Sequence, residues 1–175
     1  MCIRDRDRIR QDLTDIPQIV YGVNLGITWK QFDLSLLFQG QAKVINTIQE
    51  TWVDPSSGGA GNLMQWWTED MWTPENTDGT KPRLGTPNKI NGTTFTNINA
   101  AFFKLKNAEI GYTLPVAVRE KIGVANARVY LSGTNLFSFD HMRGMGIDPE
   151  ATGSGYGGWA LNPQRLINLG VNVSF

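Results

Sequence analysis

Residues 165–175 limit what this chain can fold into more than any other stretch. They read Arg-Leu-Ile-Asn-Leu-Gly-Val-Asn-Val-Ser-Phe and are the last residues of the sequence. Ile167, Leu169, Val171, Val173 and Phe175 occupy alternate positions, with Asn168, Gly170, Asn172 and Ser174 between them. Successive side chains of a strand point to opposite faces, so this segment has one apolar face and one polar face. Its backbone N–H and C=O groups need neighbouring strands, and its apolar face needs an apolar surrounding. Any fold for this chain has to supply both.

The alternation recurs upstream. Ile19, Tyr21, Val23, Leu25, Ile27 and Trp29 are interleaved with Gly22, Asn24, Gly26 and Thr28. Phe32, Leu34, Leu36 and Phe38 are interleaved with Asp33, Ser35 and Gln39. Only Lys30-Gln31 lies between the two runs, which predicts a β-hairpin. Each run has the roughly 9–11 residues that a tilted strand needs to cross a bilayer. Residues 102–114 and 127–139 predict two more strands. In the first, Phe103 and Leu105 share one parity while Ala108, Ile110 and Tyr112 share the other, so a β-bulge is expected near Asn107. In the second, the parity slips between Gly133 and Asn135. Residues 115–123 begin with Pro and end with Gly, which predicts a short helix.

Between the strands the chain is loop-like. Residues 42–51 are expected to prolong the second strand. Residues 52–99 are rich in Gly, Pro, Asn and Thr, with a short helix expected within 62–71. Residues 140–164 form a second Gly-rich loop. Connections of this length are uncommon in compact domains and are usually functional. Strands that alternate in direction put both long loops at one end, and the hairpin turn, the helix and the C-terminus at the other. Five strands cannot close, since the smallest membrane barrels have eight. The chain is therefore expected to be a piece of a larger object.

Composition narrows the classes. Charged residues make up 18% of the 175 and the formal net charge is zero, so no nucleic-acid partner is indicated. One cysteine excludes an internal disulfide, and one histidine argues against a zinc site. No run reaches about 18 consecutive apolar residues, so no transmembrane helix is expected. Residues 1–10 are charged and lack the apolar core of a secretory signal. Residues 1–12 are expected to be a leader that is either non-native or unrelated to the rest of the chain. No catalytic residue and no cofactor is indicated. His141 beside Asp140 has no nucleophile at a recognisable motif, and Gly153-x-Gly155-x-x-Gly158 lacks the strand and helix of a phosphate loop.

Several segments then stand together. Phe103-Lys-Leu-Lys-Asn-Ala-Glu-Ile-Gly-Tyr-Thr-Leu-Pro115, Val129-Tyr-Leu-Ser-Gly-Thr-Asn-Leu-Phe137 and Gly146-Ile-Asp-Pro-Glu150 resemble consecutive segments of the SusC/RagA family of TonB-dependent transporters. Phe32-Asp-Leu-Ser-Leu-Leu-Phe-Gln-Gly40, Trp72-Thr-Pro-Glu-Asn76, Pro163-Gln-Arg and the terminal strand resemble further parts of it. The similarity runs from about Pro17 to Phe175. Asn168, Gly170, Val173 and Phe175 resemble the C-terminal signal read by the barrel assembly machinery.

The resemblance implies an all-β fold. Residues 13–175 would be the C-terminal part of an antiparallel transmembrane β-barrel, contributing about five strands of a plugged barrel of about 22. The fragment would carry long extracellular loops and one short periplasmic helix. The implied location is the outer membrane, among its lipids. The implied activity is import of oligosaccharides or peptides, with a SusD-like surface lipoprotein as lid and TonB as energy source through a part of the protein outside this sequence.

The loops and faces offer candidate contacts. Trp52, Trp66, Trp67 and Trp72 could meet substrate or lid, or could instead pack the loop. Tyr21, Trp29, Phe32 and Tyr112 are candidates for an interfacial aromatic belt. Gly22, Asn24, Gly26, Asp33, Ser35 and Gln39 are expected to face the lumen. Asp148 and Glu150 could ligate a hard cation, although two carboxylates are few for such a site. Two other readings compete with transport. A soluble carbohydrate-binding β-sandwich would pack its apolar faces on each other, and a small adhesin barrel would close by oligomerising.

Overall fold

The computed structural model describes residues 12–48, 64–83, 94–142, 144–150 and 162–175. Its strands are β1 (Ile19–Trp29), β2 (Phe32–Ala42), β3 (Ile45–Thr47), β4 (Asn97–Asn99), β5 (Phe102–Thr113), β6 (Asn126–Asp140) and β7 (Leu166–Ser174). The helices are α1 (Gln65–Thr68) and α2 (Val116–Ile122). Five strands form one antiparallel meander in the order β1-β2-β5-β6-β7, while β3 and β4 make a separate two-stranded sheet.

Register carries the alternation of single strands across the whole sheet. Ile27, Leu34, Ile110, Leu131 and Leu169 stand opposite one another as one row. Trp29, Phe32, Tyr112, Val129 and Val171 form the row beside it, and Leu25, Leu36, Ala108, Gly133 and Ile167 the row on its other side. Directly opposed residues share a face, so one side of the sheet is apolar from edge to edge. The other side reads Gly26, Ser35, Glu109, Ser132 and Asn168 in one row. The lumen-facing positions expected in β1 and β2 all lie on this polar side.

The bulges fall where parity slips. Leu105 pairs with Phe137 but Asn107 pairs with Thr134, so Lys106 alone faces Asn135 and Leu136. Asn135 takes a left-handed φ of 52°, which absorbs the extra residue. The turn after β1 uses the same region, with Lys30 at φ 56°. The helix α2 starts after Pro115 and stops at Gly123, whose N–H reaches the carbonyls of Arg119 and Glu120 and whose φ of 70° turns the N–H of Val124 back to Arg119 at 3.1 Å.

One expectation about the loops is corrected. β2 ends at Ala42 and residues 43–48 do not prolong it: Lys43 turns the chain at φ 53°, and β3 pairs with β4 instead, while residues 49–51 lie outside the described residues. The short helix expected within 62–71 is present as a single turn, α1, and residues 62–63 lie outside the described residues. Residues 1–11 of the expected leader also lie outside them.

The buried apolar cluster is not under the sheet. Val44, Ile48, Trp67, Ala100, Met142 and Ile147 form it, with Met64, Trp66, Ile98 and Met145 packed around them. All come from the two long connections. The apolar face of the sheet is left bare by contrast: Ile27 is 61% and Leu169 75% exposed. A β-sandwich would cover that face with a second sheet, and none covers it among the described residues.

Candidate functional site

The two ends of the apolar face carry aromatic residues. Tyr21, Phe103 and Phe139 lie in one row near the long loops. Trp29, Phe32 and Tyr112 lie near the hairpin turn, with the rings of Phe32 and Tyr112 4.8 Å apart. Lys30 adds its ammonium over the Trp29 ring at 4.9 Å. An apolar band flanked by aromatic girdles, with a charged group just beyond, is the surface of a lipid-facing barrel wall.

The polar face carries two ionic constellations. Near the turn end, Arg128 of β6 donates to Asp33 of β2 through Nε at 3.0 Å and to Glu109 of β5 at 2.6 Å. One guanidinium thus bridges three strands, as a planar fork can. Near the loop end, Lys104 of β5 donates to both carboxylate oxygens of Asp148 at 2.7 Å and to Glu150 at 2.9 Å. Lys106 donates to Glu150 at 2.7 Å. Gln41 of β2 holds the carbonyls of Ala100 and Pro149, and Asn162 holds the carbonyl of Gly146 and the N–H of Asp148. The second long loop is therefore folded onto the polar face.

In this geometry Asp148 and Glu150 face lysines. Their oxygens are taken by two lysines, and the described residues contain no cluster of three or more potential metal ligands. Burial by itself would raise the carboxyl of Glu150, but the hydrogen bonds from Lys106 and Lys104 outweigh it and hold the group below the ordinary glutamate value. Both lysines and both carboxylates stand within recognisable motifs, but nothing in the sequence joins them. The signal that could have joined them was charge of opposite sign on the polar parity of two motifs.

The tryptophans separate. Trp67 is 3% exposed within the loop cluster, and Trp66 meets it edge-on with centroids 5.5 Å apart. The surface of Trp67 is thus taken up by packing within the loop cluster, one of the roles open to it. Trp72 is 38% exposed. It stands on a tight loop in which Asp70 accepts from the hydroxyl and N–H of Thr80 and pairs with Lys81 at 3.8 Å. Those hydrogen bonds from Thr80, first through its hydroxyl and then its backbone, hold the Asp70 carboxyl below the ordinary value. Trp52 and Gly153-x-Gly155-x-x-Gly158 lie outside the described residues. Asp140 accepts from Ser138 and from the N–H of Met142, so it serves the loop beside His141 as a turn acceptor.

In the terminal strand, Asn168 and Gly170 lie on the polar face opposite Ser132 and Tyr130, while Val173 lies on the apolar face opposite Ala127. Phe175 comes two residues later, 95% exposed.

Comparison with known proteins agrees with this architecture. No protein-family model matches the chain. TonB-dependent receptor P26 of Formosa agariphila is 30% identical over 174 residues, covering 91% of the chain and 17% of the receptor. TonB-dependent receptor P3 of the same organism is 29% identical over 177 residues, covering 91% and 16%. The chain thus spans about a sixth of the length of these relatives. Among solved structures, the RagAB peptide importer matches 99% of the chain at 26% identity. Its TM-score is 0.76 in the closed-closed state and 0.72 in the open-open state, with 19% of the importer chain covered in each. In sequence and in fold, the chain is a barrel fragment of the SusC/RagA type of TonB-dependent receptor.

Proposed function

We propose that this segment forms part of the wall and the outer loops of an outer-membrane importer for peptides or oligosaccharides. The observation that carries the reading is the sheet itself. Its rows are apolar on one face and polar on the other and aromatic at both ends, and among the described residues no strand pairs with the outer side of the edge strands β1 and β7. Unpaired backbone groups cost roughly several kcal/mol each in lipid, so those edges call for further strands of a closed barrel. The polar face then lines the lumen, and the loop cluster stands at its extracellular mouth. RagAB is a peptide importer, which favours peptides as the cargo.

A SusD-like surface lipoprotein is the expected lid, meeting the loops near Trp72. TonB is the expected energy source, acting on a portion of the protein beyond this segment. The barrel assembly machinery is the expected reader of Asn168, Gly170, Val173 and Phe175. The test is fractionation and uptake with the full-length protein that carries this segment. Recovery in the outer membrane with TonB-dependent uptake of peptides supports the reading. A soluble or inner-membrane protein would overturn it.

A further inference from the structure

The terminal strand has a register problem that its apolar face cannot solve. Ile167, Leu169, Val171 and Val173 are nearly interchangeable, so sliding β7 by two residues along β6 keeps every apolar side chain on the apolar face. Slipping by one residue is excluded by face, but slipping by two is not. Nor does a tight turn set the register, since residues 141–165 separate the two strands.

The polar face solves it. Tyr130 of β6 stands directly opposite Gly170 of β7. A Cβ placed on Gly170 would overlap the Tyr130 ring, with Cε1 at 2.7 Å and Cζ and the hydroxyl nearer still. The ring is held there from the other side. The Arg128 guanidinium lies 5.1 Å from its centroid and occupies the space above Gly111, the residue opposite Tyr130 on β5. A slip of two residues in either direction puts Asn168 or Asn172 under the ring, where a side chain fits only if the ring moves against the Arg128 guanidinium. We propose that Tyr130 and Gly170 form a register lock for the last strand, and that Gly170 belongs to the terminal motif because Tyr130 requires it. Tyr130 is thus a positioning residue for strand closure. The same device occurs at Tyr21 and Gly40, where the two-residue turn of the hairpin already fixes the pairing.

The lock rests on the polar face being the inside of a barrel, and its test is separable from that reading. In the full-length protein, Leu131→Cys is combined in turn with Ile167→Cys, Leu169→Cys and Val171→Cys, and outer-membrane protein is oxidised. With Tyr130 present, the disulfide forms with position 169, the observed partner of Leu131. In Tyr130→Ala, product shifts to 167 or 171, a slip of two residues, while Tyr130→Phe keeps it at 169. Where Tyr130→Ala assembles poorly, Gly170→Ala supplies the second arm. It lowers the assembled protein when Tyr130 is intact and causes no further loss in the Tyr130→Ala background. Unchanged crosslinking in Tyr130→Ala, or normal assembly of Gly170→Ala beside an intact Tyr130, overturns the lock. Outer-membrane location is scored independently, so failure of the lock leaves the transport reading standing.

Discussion

Lys104 gives its ammonium to both carboxylate oxygens of Asp148, joining two sequence motifs that stand 44 residues apart. The lysine side chain is 4% exposed and also reaches Glu150, so one buried cation ties the second long loop to the inner wall. Removing one partner of a buried pair strands the other, at roughly 3–5 kcal/mol. Lys104→Met is therefore expected to free residues 144–150. Hydrogen exchange in that peptide should rise at least about tenfold, since about 1.4 kcal/mol of opening energy is already a factor of ten. The β5–β6 ladder should keep its protection, and Lys104→Arg should retain most of the tie.

The apolar rows predict a sharp asymmetry between neighbouring residues. Leu131 lies in the middle row of the apolar face, and Ser132 lies next to it on the polar face. A charge at mid-membrane depth on a barrel's lipid face costs about 2–4 kcal/mol, whereas lumen positions tolerate it. Leu131→Arg should reduce the heat-modifiable, folded form of the full-length protein. Ser132→Arg should leave that form in place. Equal loss in both variants would mean that the faces are wrongly assigned.

Why the sheet was legible and the loops were not has a physical cause. Strand faces repeat with period two, so Ile27 and Leu34 announce themselves within ten residues of sequence. Even the bulge at Lys106 is visible as a change of parity between Leu105 and Ala108. The loop cluster has no period. Val44, Trp67, Ala100 and Met142 come together from distant positions, and nothing local marks Trp67 as buried while Trp72 stays open. The ionic tie is equally non-local, because Lys104 and Asp148 stand 44 residues apart with all of β6 between them. Tyr130 opposite Gly170 lies between these cases: each residue is visible, but their meeting depends on register.

The tryptophans provide a third test. Truncating a large buried aromatic costs about 3–5 kcal/mol, so Trp67→Ala should loosen the loop cluster and expose Val44 and Met142 to exchange. Trp72→Ala removes a half-open ring and should leave the cluster unchanged. If Trp72 meets a lid protein or cargo, its loss should weaken that association in a pull-down or uptake assay while the loops stay folded. Loss of loop folding in Trp72→Ala would show instead that it packs.

Phe175 lies two residues beyond the apolar-face position Val173 and is almost wholly exposed. Among the described residues, its removal takes away no contact that holds the sheet together. Deleting Phe175 from the full-length protein should therefore lower its level in the outer membrane through assembly, with the residual assembled protein as stable as the parent. A normal level would remove Phe175 from the terminal signal. A normal yield of a less stable barrel would assign it a packing role.

The tie between loop and wall should also depend on acidity, in one direction only. Glu150 faces Lys104 and Lys106, with Asp148 on the same Lys104 ammonium. Its carboxyl is held below the ordinary glutamate value in the folded protein. A depressed carboxylate contributes stability that is complete above its unfolded value and is lost as the pH falls through the folded one. The loop should thus be firmly held at neutral pH and loosen only in acid below about pH 4, the ordinary carboxylate range. A spin label on Met145→Cys, beside the cluster, should become mobile on acidification. Glu150→Gln should weaken the hold at neutral pH and flatten the response. Loosening that began on the alkaline side, or that persisted unchanged in Glu150→Gln, would place the control in some other group.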